Sequence, residues 1–299
     1  MKEKSFFCGI ATALITPFKE GAIDEKAFRA LVRDQIAAGV HGLVVCGTTG
    51  EASTLTDKEK DTLLTAALEE TAGALPVIMG TGANDTARAV AATKRAKALG
   101  ADGALVVTPY YNKGTGEGLR AHFGKVAEEG GLPLILYNVP SRTGVDLSLR
   151  DYEVLIEHPC ITGIKEASPD VEKLASLCLL AEGRARIYTG NDTLLLPALA
   201  VGAQGCISVV SNILPKNTAE VFHLWQKSKA VEAQLLFQRI FPLCKALFRE
   251  TNPAPVKYLA GLLGYGDGSL RLPLAHVTEE TEETLLSAFA PWQDTGGYL

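Results

Sequence analysis

The sequence lacks the patterns that mark several common kinds of site. Its six cysteines include no C-x-x-C pair, and its five histidines show no H-E-x-x-H or similar ligand spacing. We therefore expect no metal bound by the protein. No G-x-G-x-x-G follows the first strand-like run, which argues against a dinucleotide-binding fold. No stretch approaches the roughly 18 uncharged apolar residues of a transmembrane helix.

The charge and the cysteines also limit the possible partners and compartment. A net charge of −5 argues against nucleic acid and against an anionic membrane surface as main partners. Most cysteines lie inside apolar segments, which predicts buried thiols in a reducing compartment. The N-terminal run MKEKSFFCGIATALITPF lacks a convincing signal-peptide cleavage site, so we expect a mature cytoplasmic start.

Short apolar runs alternate with longer amphipathic segments along most of the chain. The strand-like runs are GIATALITPF, GLVVCG, PVIMGTG, GALVVTPYY, PLILYNVP, ITGIKEAS, ARIYTG and QGCISVV. Three of the segments between them are DEKAFRALVRDQIAAG, TDKEKDTLLTAALEETAG and NDTARAVAATKRAKALG. Each of these three opens at Asp, Thr or Asn and closes at Gly, which predicts a helix. Continuously apolar strands joined by helices indicate a parallel sheet covered on both faces.

The number and spacing of these units predict the fold class. Eight βα units within about 210 residues favour a closed (β/α)8 TIM barrel over an open doubly wound sheet. From about residue 213 the strand signal disappears and only helical patterns follow. We expect barrel strands and their helices over residues 1–212. Residues 213–299 should hold the last barrel helix and a C-terminal helical extension packed on the barrel.

Chemistry in such a barrel is expected at the C-terminal ends of the strands. The sixth run, ITGIKEAS, places Lys165 there. Strand alternation puts Gly163 and Lys165 on one face and Glu166 on the other, with Gly163 leaving room beneath the amine. The amine could extend past the strand end into solvent. Alternatively, loss of water disfavours its charged form and makes it a nucleophile for a carbonyl carbon, which is the interpretation that the barrel favours.

Two hydroxyls follow the second strand in GTTGE, residues 47–51. The motif could be a tight loop with hydroxyl caps. Its alternative is an anion site in which backbone amides and the hydroxyls of Thr48 and Thr49 bind a small carboxylate. No basic residue lies within the motif, which favours a small carboxylate over a pyrophosphate.

The fifth run ends in YNVPSRTG, which supplies a phenol and a guanidinium. Tyr137 could be a core tyrosine, and Arg142 could be a surface charge. If Tyr137 faces the interior with Ile135, its hydroxyl lies near Lys165 and can shuttle protons. Arg142 could then grip a substrate carboxylate in bidentate fashion.

TPYYN follows the fourth strand and contains Tyr110 and Tyr111. Paired exposed tyrosines are typical of packing or interface residues. A catalytic role is compatible with this if one tyrosine crosses a subunit interface.

Taken in order, GTTGE, TPYYN, YNVPSRTG and GIKEAS resemble the pyruvate-dependent class I aldolases, the N-acetylneuraminate lyase family. The resemblance extends from ATALITPF to NPAPVKYLAGLLG and LRLPL, nearly the whole chain. It implies that Lys165 forms a Schiff base with pyruvate. It also implies that Thr48 and Thr49 hold the pyruvate carboxylate, and that Thr48, Tyr137 and Tyr111 form a proton relay, with Tyr111 reaching into a neighbouring subunit.

The resemblance further implies the branch of the family that condenses pyruvate with L-aspartate 4-semialdehyde. The product would be 4-hydroxy-tetrahydrodipicolinate, in the first committed step of diaminopimelate and L-lysine biosynthesis. Arg142 would bind the carboxylate of the semialdehyde, and the backbones of Gly190 and Ile207 would line the pocket. No metal or organic cofactor is implied. The expected assembly is a homotetramer built from tight dimers.

Some family members are inhibited by L-lysine at a subunit interface. The corresponding positions here are Ser53, Asp57, Lys60, Asn84, Arg88 and Tyr110. Asn84 and Tyr110 agree with the inhibited pattern. Arg88 replaces an acid and so reverses the charge, and Asp57 and Lys60 replace histidines. We expect weak or absent inhibition by lysine.

Two alternatives compete with the condensing enzyme. Sialic acid lyases and 2-keto-3-deoxy sugar acid aldolases share the lysine, the tyrosine and a similar threonine loop, but they generally lack an arginine after the Y-x-x-P turn. Arg142 therefore favours the condensing enzyme. A non-catalytic barrel that binds a keto acid would be favoured by loss of Lys165 or Tyr137, and both are present.

Overall fold

The computed structural model describes residues 6–293 and places eight parallel strands at the centre of the fold. In chain order they are β1 (Gly9–Ala13), β2 (Gly42–Val45), β3 (Val77–Gly80), β4 (Gly103–Val107), β5 (Leu134–Asn138), β6 (Ile161–Glu166), β7 (Arg186–Thr189) and β8 (Gly205–Ser208). Each lies within one of the eight predicted runs. Residues 1–5 of the N-terminal run and residues 294–299 of the predicted extension lie outside the described part of the chain.

Helices follow the strands, and after β8 the described part of the chain contains helices without further strands. They are α1 (Glu25–Ala37), α2 (Asp57–Thr71), α3 (Thr86–Leu99), α4 (Gly116–Gly130), α5 (Pro140–Thr143), α6 (Leu149–Leu155), α7 (Val171–Ala181), α8 (Leu195–Ala200), α9 (Pro215–Gln226), α10 (Ala230–Ala246), α11 (Ala254–Leu262) and α12 (Glu279–Gln293). A short hairpin, Phe18–Lys19 with Ala22–Ile23, follows β1.

Capping side chains fix the starts of the three helices expected from the sequence. Asp24 accepts a hydrogen bond from the backbone of Ala27 in α1, and Thr56 forms a capping box with Glu59 in α2. The third prediction was wrong by one residue: Asp85, not Asn84, caps α3. A carboxylate at this position also meets the positive end of the helix dipole.

The strands close into a barrel because each pairs in parallel with the next and β8 pairs with β1. This confirms the predicted (β/α)8 TIM barrel, and the helices that follow β8 confirm the C-terminal extension. Helix α9 packs on β1, while α10 packs on α9 and α12.

Side chains fill the inside of the barrel. This inner cluster includes Ala11, Val44, Ile78, Leu105, Ile135, Tyr137, Tyr188 and Ile207. Since Tyr137 is paired with Lys165 in the β5–β6 register, the predicted strand parity is confirmed. The free space that the sequence predicted at Gly163 is filled by the side chains of Ile135 and Tyr188. A Cβ added at Gly163 would lie 3.2 Å from Ile135 Cγ1 and 3.2 Å from Tyr188 Cε2.

The cysteines only partly fit the expectation of buried thiols. Cys46, Cys206 and Cys244 are buried, while Cys160 and Cys178 are half-buried. Cys8 is exposed because it precedes β1, where its thiol contacts the carbonyl of Gln204 at 3.3 Å.

Neither a membrane-spanning helix nor a metal cluster is found among residues 6–293. None of the helices there is long and apolar enough to cross a membrane. Within the same range, no group of three or more His, Cys, Asp or Glu side chains is placed to hold a metal ion.

One half-buried and one buried histidine outside the barrel interior predict a loss of stability in acid. Burial lowers the pKa of His41, and of His122, from 6.5 to about 4. Between pH 6.5 and 4 the unfolded chain therefore binds more protons than the folded one, and the free energy of unfolding falls as pH falls. We expect a loss on the order of 1–3 kcal/mol from pH 7 to 4.5.

Urea denaturation at several pH values measures this loss. The variant His122→Gln removes one of the two groups and should show a shallower dependence on pH between 4.5 and 6.5. An unchanged slope would contradict the assignment to His122.

Candidate active site

A cavity of about 660 Å³ opens at the C-terminal ends of the barrel strands. Six of the predicted site residues line it: Thr48, Thr49, Tyr137, Arg142, Lys165 and Gly190. They come from the ends of β5 and β6 and from the segments after β2, β5 and β7. The structure thus brings together residues up to 142 positions apart in the sequence.

Lys165 lies at the base of this cavity and is only 6% exposed. Its Nζ is 4.3 Å from the centre of the Tyr137 ring on the neighbouring strand. An added Cβ on Gly190 would lie 2.8 Å from Lys165 Cε. Glycine at position 190 therefore leaves the space that the lysine side chain occupies.

Glu166 points away from the cavity, as the strand alternation predicts. Its carboxylate accepts hydrogen bonds from Asn138 Nδ2 at 2.9 Å and Tyr152 Oη at 3.1 Å, and Lys173 Nζ lies 3.3 Å away. These contacts anchor the end of β6 to β5, α6 and α7. The partner of the Lys165 amine must therefore come from inside the barrel.

A second buried carboxylate follows β7 at the same end of the barrel, and the sequence did not indicate it. Asp192 is 2% exposed and accepts hydrogen bonds from the backbone N–H groups of Val209 and Val210 at 2.9 and 3.0 Å. Burial raises the pKa of Asp192, while these bonds and the charge of Lys165 act in the opposite direction.

The threonine loop is held by contacts from both ends of the chain. Thr16 Oγ1 donates to the carbonyl of Gly50 at 2.7 Å, and Asn252 Nδ2 donates to Thr49 Oγ1 at 3.0 Å. Because Thr49 accepts this bond, its hydroxyl proton is left to donate to a bound carboxylate. The strained positive φ values in this segment fall on Cys46 and Glu51, at 53° and 52°, and not on the flanking glycines.

A buried ion pair fixes the end of the same loop. Lys257 Nζ of α11 lies 2.6 Å from Glu51 Oε1, and the two side chains are 1% and 0% exposed. The backbone N–H of Arg271 donates to Glu51 Oε2 at 3.0 Å. Only the charged Lys257 within the otherwise apolar segment NPAPVKYLAGLLG could have signalled this pair in the sequence.

Arg142 projects from the one-turn helix α5 at the mouth of the cavity. Its Nη2 donates to the backbone carbonyl of Asn252 at 2.9 Å. Asn252 thus contacts both Thr49 and Arg142, although neither sequence motif includes it. Gly144, at φ 66°, ends α5 and allows the tight turn that presents the guanidinium.

Three predicted residues lie apart from these groups. Tyr111 is 89% exposed, with φ +72°, and is not among the residues lining this cavity. Ile207 is fully buried in the inner cluster and also does not line it. The carbonyl of Asn84 accepts a hydrogen bond from Asn112 Nδ2 at 2.9 Å.

A second cavity of about 950 Å³ adjoins the first. Among the residues that line it are Ser53, Asp57, Lys60, Arg88 and Tyr110. Five of the six positions expected at the effector site therefore share one cavity, and Asn84 is the exception.

Comparison with known proteins decides the family. The model of the dihydrodipicolinate synthetase family matches residues 6–290. The chain belongs to this family. The 4-hydroxy-tetrahydrodipicolinate synthase of Thermodesulfovibrio yellowstonii is 46% identical over 279 residues, which cover 93% of this chain and 96% of that relative.

Solved structures of dihydrodipicolinate synthases agree with this membership. That of Thermotoga maritima superposes with a TM-score of 0.94 at 39% identity, covering 98% of this chain and 100% of the other. The chloride-inhibited enzyme of Acinetobacter baumannii complexed with pyruvate gives 0.92 at 43% identity, covering 95% and 98%.

Proposed function

We propose that this member of the dihydrodipicolinate synthetase family condenses pyruvate with L-aspartate 4-semialdehyde to give 4-hydroxy-tetrahydrodipicolinate. The protein is a lyase of the class I aldolase type, in diaminopimelate and L-lysine biosynthesis. The observation that carries the residue assignment is the buried Lys165 amine beside Tyr137, in a cavity that also holds the threonine loop and Arg142.

The chemistry begins at the lysine. Neutral Lys165 attacks the keto carbon of pyruvate, and loss of water gives a protonated imine. Thr48 and Thr49 hold the pyruvate carboxylate. The imine draws electrons from the methyl group, which loses a proton to the relay through Tyr137 and becomes an enamine.

The enamine carbon then bonds to the aldehyde carbon of the second substrate, whose carboxylate Arg142 binds. Finally, the amine of that substrate attacks the imine carbon, closes the ring and releases Lys165 as a free amine. Every proton transfer in this sequence can use the hydroxyl groups around the cavity. No step requires a metal ion or an organic cofactor.

Turnover with different aldehydes tests the substrate assignment. We expect rapid consumption of L-aspartate 4-semialdehyde in the presence of pyruvate, and none of N-acetylmannosamine or glyceraldehyde. Preference for a sugar aldehyde would instead assign the chain to the sialic acid lyase or sugar acid aldolase branch. The guanidinium of Arg142 at the cavity mouth favours the first outcome.

Tyr137→Phe should separate imine formation from proton transfer. Loss of the hydroxyl should lower kcat by about 10²–10⁴-fold, because a positioned general acid–base contributes that much. The pyruvate adduct on Lys165 should still form, as mass spectrometry can show. Tyr188→Phe is a matched control, since its hydroxyl bonds to the carbonyl of Phe7 at 2.8 Å and lies outside the cavity lining. A kcat for Tyr137→Phe equal to that of the control would contradict the relay.

Because Arg88 lines the second cavity, we expect little inhibition by L-lysine. The Arg88 cation would repel the ammonium groups of the amino acid. The rate at millimolar L-lysine should therefore stay close to the uninhibited rate, and Arg88→Glu should increase the inhibition. Strong inhibition of the unchanged protein would refute this prediction.

We also propose self-association, a domain division and a location. Tyr111 would reach a neighbouring subunit's cavity, which is supported by its exposure of 89% and requires at least a dimer. We propose that the assembly is a homotetramer of tight dimers. We also propose that the barrel and its C-terminal part divide between residues 212 and 213, and that the protein is cytoplasmic. Sedimentation analysis tests the assembly, and a monomer with full activity would exclude the role of Tyr111.

A further inference from the structure

One acidic side chain stands out at the mouth of the first cavity. Among the residues that line it, Glu250 is the only carboxylate, whereas Lys165, Arg142 and Arg249 are cationic. Glu250 belongs to the segment between α10 and α11, which also supplies Asn252. The cavity for an anionic keto acid thus contains a single negative side chain, on its outer side.

Hydrogen bonds to one oxygen fix the position of this carboxylate. Glu250 Oε1 accepts from the backbone N–H of Thr278 at 2.9 Å and from its hydroxyl at 2.8 Å. These bonds and one from Thr281 lower the pKa of Glu250, with the backbone bond as the largest cause. The group is therefore an ionised carboxylate at neutral pH, held from the side of α12.

The chain places Glu250 close to the predicted carboxylate binder. Arg142 Nη2 donates to the carbonyl of Asn252, two residues after Glu250. Two residues span at most about 7 Å of chain. The backbone of Glu250 therefore lies near the residue that Arg142 contacts, and Arg142 and Glu250 both line the cavity. An α-amino acid presents the complementary pair, a carboxylate and an ammonium on one carbon.

We propose that Glu250 binds the α-ammonium group of the second substrate while Arg142 binds its carboxylate. Glu250 would then determine specificity, selecting an aldehyde that is also an amino acid over keto acids and sugars. This inference rests on the proposed function, because it assumes L-aspartate 4-semialdehyde as that substrate.

A glutamine variant separates this role from a purely structural one. Glu250→Gln keeps an oxygen that can accept from Thr278 and loses only the charge. We expect kcat/KM for L-aspartate 4-semialdehyde to fall about 10–100-fold, mainly through KM, as for loss of a charged hydrogen bond. The inhibition constant of succinate semialdehyde, which lacks the amino group, should stay unchanged.

Glu283→Gln is the matched control. Glu283 is exposed on α12 and does not line the cavity, so its charge should be dispensable. If Glu250→Gln weakens the binding of both aldehydes equally, or weakens the binding of neither, the proposal is overturned. If the variant does not fold, binding to the unchanged protein tests the proposal instead. The unchanged protein should bind L-aspartate 4-semialdehyde at least about tenfold more tightly than succinate semialdehyde, because one charged hydrogen bond has about that effect. Equal binding of the two aldehydes would refute the proposal.

The two proposals fail in different ways. If the unchanged protein does not turn over L-aspartate 4-semialdehyde, the proposed function fails and the assignment of Glu250 fails with it. If the unchanged protein turns it over and Glu250→Gln does so equally well, only the assignment of Glu250 is wrong. Trapping of pyruvate should be the same in both proteins.

Discussion

Replacing Lys165 with alanine should lower kcat/KM for the condensation by about 10⁴-fold or more, as expected when a covalent nucleophile is removed. The structure supports so large an effect because the amine is buried beside Tyr137 in the cavity. The variant should still fold, since alanine removes a polar side chain from the cavity wall without opening the inner cluster.

Lys216→Ala provides the matched control. Lys216 is exposed on α9, away from the cavity, so its loss should leave the rate unchanged. Steady-state kinetics with both substrates, together with circular dichroism, measure the comparison. A Lys165→Ala protein that is folded and retains activity within about tenfold of the unchanged protein would contradict the covalent mechanism.

Replacing Lys257 with alanine should destabilise the protein by about 3–5 kcal/mol. The change leaves the carboxylate of Glu51 buried without its partner, and burial already lowers the pKa of Lys257 against the opposing bond to Glu51. Because Glu51 ends the threonine loop, the variant should also bind pyruvate less tightly. Urea denaturation gives the stability, and pyruvate KM gives the effect on the loop.

A double variant tests whether the unpaired charge is the cause. Glu51→Gln combined with Lys257→Met removes both charges and keeps similar volumes, so most of the lost stability should return. Lys125→Ala breaks an exposed pair with Glu129, 3.6 Å apart, and should cost less than about 1 kcal/mol. Equal losses in Lys257→Ala and Lys125→Ala would contradict the account.

The parts of the site that lie on the strands could be predicted from the sequence. Alternation along β6 placed Lys165 inside and Glu166 outside, because side chains on a strand have a fixed period of two. The helices were equally predictable from their caps, apart from the shift from Asn84 to Asp85. In both cases the local sequence pattern was sufficient for the prediction.

The parts supplied by the C-terminal segment could not be predicted in this way. Asn252 contacts Thr49 across 203 residues of sequence, and Lys257 contacts Glu51 across 206. No local pattern encodes contacts between segments so far apart, since they depend on how the extension packs against the barrel. Ile207 lies on a strand, and alternation along β8 explains why its side chain lies in the inner cluster. Alternation does not indicate whether its backbone lines the cavity.

Trapping with borohydride tests the central claim most directly. The protein is incubated with pyruvate and borohydride, digested, and mapped by mass spectrometry. We predict a single adduct of reduced pyruvate, located on Lys165. No adduct, or an adduct on another lysine such as Lys257 or Lys173, would contradict the assignment of Lys165 as the imine-forming residue.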